Sequence, residues 1–249
     1  MADRAAIITG ASSGIGLAIA HMLGQEGYGL TVAARRPDKL TAAADELRAA
    51  GHRVVEYAGN LGDEEAIDAV VALHERTYGR LDVLVNNAGV GIGEFVGELT
   101  TKKVDLQLDL NLRSIFLFYR AAVPLLRAAG AEHRNALVVN TSSISGKVGE
   151  PWLSVYSATK HGVVGFTQAM NKELAKDGIK NTALCPAFVD TPMTDFVKGA
   201  VPAEKMITTQ DIAESVRFLI RTSPGCVVPE IQYVQPGGGD LPGVDEVSV

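Results

Sequence analysis

The chain has 249 residues, 47% hydrophobic and 21% charged, with a formal net charge of -6. That length buries a substantial core, while the acidic balance excludes a nucleic-acid groove or an anionic membrane surface as the main partner. Cys185 and Cys226 form no close-spaced pair and His21, His52, His74, His133 and His161 show no paired ligand spacing, so a disulfide framework and a zinc site are excluded as well.

Met1-Ala2-Asp3-Arg4 leads straight into an apolar segment without the regions of a signal peptide. No stretch is read as approaching the ~18 apolar residues of a membrane span. The expectation is a cytoplasmic protein that handles small molecules.

Short apolar runs alternate with longer segments of helical period, as in βαβ units around a parallel sheet. Ala5 to Ile8 reads as the first strand, and a helix follows from about Ile15 to Gln25, stopped by Gly27. Between them lies Thr9-Gly10-Ala11-Ser12-Ser13-Gly14-Ile15-Gly16. Glycines there let the backbone turn sharply and approach a pyrophosphate, and the free N–H groups and dipole of the helix start favour an anion. Ser12 and Ser13 offer hydroxyls to the same phosphate. No Gly-Lys-Ser/Thr follows, so this is not a nucleoside-triphosphatase loop.

The second strand, Leu30 to Ala34, ends on Arg35-Arg36. An acidic residue at this point holds free ribose hydroxyls, whereas a 2′-phosphate wants a cation. Arg35 and Arg36 therefore favour NADP(H), with NAD(H) possible. The next helix starts at Pro37 and ends before Gly51. Further strands are read at Arg53 to Ala58, Asp82 to Asn86, Ala136 to Thr141, Asn181 to Cys185 and Ile231 to Val234. Helices are read at Asp63 to Tyr78, Thr101 to Ala129 (broken), Val155 to Lys176 and Thr209 to Arg221. No repeat or linker divides the chain; Gly237-Gly238-Gly239 leads only into a short acidic tail. The fold expected is α/β, a single doubly wound Rossmann-type domain over residues 1–249 with a central parallel sheet of about seven strands and helices on both faces.

Tyr156 and Lys160 stand four apart in Val155-Tyr156-Ser157-Ala158-Thr159-Lys160, about one turn apart on one helix face. Bringing a phenol from about 10 to near 7 takes roughly 4 kcal/mol, and a cation about 4 Å away at an effective dielectric near 20 supplies that order. Ser143 lies thirteen residues upstream.

With Thr9 to Gly16, Asn86-Asn87-Ala88-Gly89, Asn111, Ser143, Tyr156, Lys160 and Pro186-Ala187-Phe188-Val189-Asp190-Thr191 in this order, the chain resembles the classical short-chain dehydrogenase/reductase family over nearly its whole length. The resemblance implies that Tyr156 exchanges a proton with the carbonyl or alcohol oxygen and that Ser143 hydrogen-bonds the same oxygen. Lys160 would hold the nicotinamide ribose and depress the tyrosine, and Asn111 would bind a water of the proton relay. Cofactor contacts are implied for Gly10, Ser12, Ser13, Gly14, Ile15, Gly16, Arg35, Arg36, Asn60, Leu61, Asn87, Ala88, Gly89, Tyr156, Lys160, Pro186, Val189 and Thr191. Two positions depart from the family. Asn60 replaces a frequent aspartate, so its amide must present oxygen as the acceptor. Ala187 replaces the usual glycine, so either the backbone there avoids positive φ or the loop is shifted.

A substrate lid is implied at about 192–207, with Met193, Phe196 and Val197 as its apolar face. Val90, Ile92, Phe95, Trp152, Leu153 and Phe188 would stand opposite, a set suited to a hydrophobic carbonyl compound. Glu150 and Lys147 add polarity. Lys102, Lys103 and Arg113 are the candidate cations for docking an acyl carrier, and Cys185 is given a structural role.

The function expected is an NADPH-dependent ketoreductase, with a 3-oxoacyl thioester among its possible substrates. The alternatives are an NAD-dependent secondary-alcohol dehydrogenase and a non-catalytic nucleotide-binding regulator. The resemblance also implies a homotetramer or homodimer packed through the helices around 101–129 and 155–176.

Overall fold

The computed structural model describes residues 4–199 and 201–236; the Gly237-Gly238-Gly239 run and the acidic tail lie outside them. Strands β1 (Ala5–Thr9), β2 (Gly29–Ala34), β3 (Val54–Ala58), β4 (Val83–Asn86), β5 (Ala136–Thr141), β6 (Ile179–Pro186) and β7 (Glu230–Tyr233) form one parallel sheet in the order β3-β2-β1-β4-β5-β6-β7. Helices α1 (Gly14–Gln25), α2 (Pro37–Ala49), α3 (Glu64–Tyr78), α4 (Thr101–Leu108), α5 (Ser114–His133), α6 (Ser154–Glu173) and α7 (Thr209–Arg221) cover it.

The strands are apolar runs because both faces are covered. In β1, Ala6 and Ile8 point to a layer built with α1, α2 and α7, where they meet Ile19, Leu40 and Val216. Ile7 points to the opposite layer, built with α3, α5 and α6, beside Val70, Phe118 and Val163. β1 pairs with β2 on one side and β4 on the other. The chain therefore leaves β1 and β4 in opposite directions, opening a crevice at their carboxyl ends.

The break expected within 101–129 is a five-residue π-helical turn, Asp109–Arg113, and the helix after it runs on to His133. Thr101–His133 also corrects the reading of the chain as free of long apolar stretches. An 18-residue window in it has a mean hydropathy of 1.2, enough by length and composition to cross a membrane. Ile115, Phe118, Tyr119, Ala122 and Leu126 spend its apolar face inside the fold, each at most 3% exposed.

Candidate active site

The crevice opens into a cavity of about 1640 Å³ that runs from the β1–α1 turn to the segment after β6. Of the expected cofactor and catalytic residues, all but Gly16 and Asn111 line it.

At one end, Gly10 and Gly14 take positive φ, +67° and +57°. A Cβ on Gly16 would stand 2.5 Å from the Gly10 carbonyl oxygen, so only glycine lets α1 start this close beneath the turn. Thr9 ties the turn to the loop after β4: its hydroxyl donates to the Val85 carbonyl and accepts from the Asn87 and Ala88 N–H groups at 2.9 and 3.0 Å. Ser13 caps α1 without a hydrogen bond from its side chain, leaving hydroxyl and helix N–H groups facing the cavity.

Beyond the end of β2, Arg35, Arg36 and Lys39 border the cavity, and none of the three has a carboxylate partner among the described residues. Lys39 was missed by the sequence reading. A signal for it exists, since a cation in the first turn of a helix opposes the dipole and needs a reason to be there. Asn60 and Leu61 sit on the same wall, and Asn60 Oδ1 accepts from the Gly62 N–H at 3.3 Å.

Ser143, Tyr156 and Lys160 converge at the centre. Ser143 follows β5 and is 8% exposed; its hydroxyl accepts from Ser145 N–H at 3.1 Å and donates to the Pro186 carbonyl at 3.5 Å. Lys160, 4% exposed, donates to the Thr141 carbonyl at 2.8 Å, with its ammonium 5.5 Å from the centroid of the Tyr156 ring. The depression of Tyr156 expected from this neighbour is not what the structure shows. Burial raises the phenol above its ordinary 10.0, against a hydrogen bond from Ser143 that lowers it. Burial likewise lowers the Lys160 ammonium to about 8. In both groups the largest cause is desolvation of the charged form.

The Lys160 shift has a measurable consequence. A buried ammonium titrating near 8, against about 10.4 unfolded, leaves the unfolded chain binding more protons between those values. Stability contributed by this group therefore rises with pH across that window, by on the order of 3 kcal/mol in all. Thermal melts should show the wild type gaining several degrees on Lys160→Met from pH 8 to 10, and a pH-independent difference would contradict the assignment.

Asn111 stands behind the cavity wall, beside Gly89 and Lys160. It is fully buried in the π-helical turn, and its amide is committed to the Val90 backbone, donating to the carbonyl and accepting from the N–H, both at 2.8 Å. Its side chain is thus a clamp on the loop after β4 rather than a lining group of the cavity.

Val90, Ile92, Trp152, Leu153, Phe188, Met193 and Phe196 form the apolar end. Phe95, 49% exposed, and Val197, 5% exposed, are not part of it. Ala187 has no positive φ, so the first of the two alternatives for that loop is the one realised. The following segment holds two short 3-10 turns, Pro192–Val197 and Ala203–Lys205, the first capped by Thr191. Two of the three candidate docking cations are spoken for: Lys103 pairs with Glu94, and Arg113 with Glu64 and the Gly62 carbonyl. Lys147 pairs with Glu230 at 2.8 Å. Burial raises the Cys185 thiol to about 11, in keeping with a structural role.

A short chain dehydrogenase family model matches residues 4–200. A Streptomyces coelicolor protein provisionally assigned as a ketoacyl reductase is 38% identical over 95% of this chain and 97% of its own. Among solved structures, a point variant of actinorhodin polyketide ketoreductase with NADPH superposes with a TM-score of 0.84 at 34% identity, covering 92% of this chain and 95% of that one. The 3-ketoacyl-(acyl-carrier-protein) reductase from Brucella melitensis, complexed with NADH, gives 0.85 at 27% identity, covering 94% and 98%.

Proposed function

The chain belongs to the short-chain dehydrogenase family, and from that premise we propose that it is an NADPH-dependent ketoreductase acting on an apolar carbonyl substrate. The observation that carries this reading is the meeting of Ser143, Tyr156 and Lys160 in one cavity with three cations at its far end that have no carboxylate partner among the described residues. The residues present fit the cofactor. Gly10, Gly14 and Gly16 make a cradle that Cβ atoms would fill, Ser12, Ser13 and Ile15 border the start of α1, and Arg35 and Arg36 suit a 2′-phosphate. Asn60 and Leu61 would hold the adenine, Asn87, Ala88 and Gly89 the ribose, and Pro186, Val189 and Thr191 the nicotinamide.

Bound NADPH supplies a hydride to the carbonyl carbon. Tyr156 donates the proton to the carbonyl oxygen, and Ser143 holds that oxygen by a hydrogen bond, so one hydride and one proton make the alcohol. A phenol kept protonated by burial is the right form for reduction at neutral pH. Lys160, whose ammonium rests on the Thr141 carbonyl, would hold the nicotinamide ribose. Asn111 serves by holding Val90 in the wall of the site.

The apolar end favours hydrophobic ketones, among which a 3-oxoacyl thioester falls. With Lys103 and Arg113 already paired, a docking patch for an acyl carrier is less supported than a free substrate. We read residues 1–249 as one catalytic unit with a lid at about 192–207. We place it in the cytoplasm, where two free cysteines are at home. As a homodimer or homotetramer it would pack through α4, α5 and α6, where Leu108 and Phe116 are each 40% exposed. A panel of ketones assayed with NADPH and NADH at the nicotinamide absorbance tests the reading. Turnover of apolar ketones with NADPH is expected, and no oxidation with any of them would sink it.

A further inference from the structure

Three polar side chains on one helical run, Lys103, Gln107 and Asn111, are spaced four residues apart. They meet three residues of the irregular segment after β4, spaced two apart and running the opposite way. Asn111 brackets Val90 through both backbone groups at 2.8 Å. Gln107, fully buried, accepts from the Ile92 N–H at 3.2 Å and donates to the Lys103 carbonyl at 3.3 Å. Lys103 pairs with the Glu94 carboxylate. Four helical residues rise about 6 Å and two extended residues span about 6.6 Å, so the two repeats keep step over three rungs. Four-residue steps of an α-helix also drift by about 40° around the axis. The π-helical turn at Asp109–Arg113 turns less per residue and brings Asn111 back toward the line of the other two.

The ladder ends on Trp152. The Glu94 N–H donates to the Trp152 carbonyl at 2.7 Å, and a Cβ on Gly93 would stand 2.2 Å from the indole, which therefore lies flush on that glycine. Trp152 has φ +64°, a left-handed backbone that a bulky side chain adopts only where its surroundings hold it. Its indole borders the same cavity as Tyr156 and faces Phe196 of the lid with ring centroids 5.9 Å apart. We infer that Gln107 is a positioning residue for the carbonyl substrate: as the middle rung of this ladder it fixes residues 90–94 and, through Gly93 and Glu94, the Trp152 indole that walls the substrate end. Val90 and Ile92 line the cavity from the same segment, so one buried amide sets the register of three lining residues. Gln107 itself does not line it, and its influence on substrate passes through the backbone it holds.

The inference rests on the proposed ketoreductase reading for its kinetic part, but Trp152 is the sole tryptophan of the chain and reports on the ladder without turnover. In Gln107→Met, which keeps length and loses the acceptor, acrylamide quenching of tryptophan emission should rise about twofold and KM for an apolar ketone about tenfold, with KM for NADPH unchanged. Gln107→Glu, which keeps an acceptor oxygen, should recover most of both. Lys103→Met removes the outermost, partly exposed rung and should move quenching the same way by less, which leaves a decisive variant in hand should Gln107→Met fail to fold. Wild-type quenching in Gln107→Met, or in Lys103→Met where the former does not fold, overturns the inference. So does an equal rise in KM for ketone and NADPH. A wild type that reduces no ketone removes the functional reading instead, and leaves the quenching result standing.

Discussion

Tyr156→Phe should lower kcat for ketone reduction about 10³-fold while leaving NADPH affinity within about twofold. General acid catalysis by a placed side chain is worth roughly 10² to 10⁴, and 10³ corresponds to about 4 kcal/mol of barrier. The ring stays in place beneath Lys160, so packing and the cofactor side are preserved, and the loss falls on proton donation alone. Ser143 is a poor substitute, because an aliphatic hydroxyl is a far weaker acid than a phenol and this one is engaged with the Pro186 carbonyl and the Ser145 N–H. Measuring kcat alongside NADPH titration checks this. Retained turnover would remove Tyr156 from the proton path.

Arg35→Ala combined with Arg36→Ala should raise KM for NADPH by about 30- to 100-fold and leave KM for NADH unchanged. A hydrogen bond to a charged group contributes about 1.5 to 3 kcal/mol. Both guanidinium groups are exposed, so solvent and salt discount that figure. Two of them together still reach about 2 to 3 kcal/mol. Lys39→Ala should add a smaller loss, because one ammonium makes a point contact where a guanidinium makes a fork. The discrimination should shrink as ionic strength rises. Equal losses for NADPH and NADH would place the cations away from the 2′-phosphate.

Most of the fold was legible because parallel strands buried on both faces are written as apolar runs, and Gly27, Gly51 and Pro37 punctuate them. The convergence of Tyr156 and Lys160 was legible for a different reason: both stand on one helix whose period fixes their direction, while Ser143 comes in from the loop after β5. What was not legible depended on tertiary surroundings. The π-helical turn at Asp109–Arg113 contains neither glycine nor proline, and it sets the Asn111 amide onto the Val90 backbone. Trp152 takes a left-handed backbone that no local pattern announces. Spacing places Lys160 near Tyr156 but says nothing of how much water each loses, and that loss reverses the expected direction of the Tyr156 shift. Lys39 carried a weaker signal, a cation set against the dipole in the first turn of α2. At Ala187 sequence posed a question, and the absence of positive φ answers it.

The most direct test is the fate of a label. With NADPH carrying deuterium at the transferred position of nicotinamide C4 and an apolar ketone as substrate, mass spectrometry of the alcohol should find one deuterium per molecule on the carbinol carbon, and Tyr156→Phe should form that product about 10³-fold more slowly. Alcohol free of deuterium, or labelled product formed equally fast by Tyr156→Phe, would contradict a ketoreductase in which Tyr156 supplies the proton.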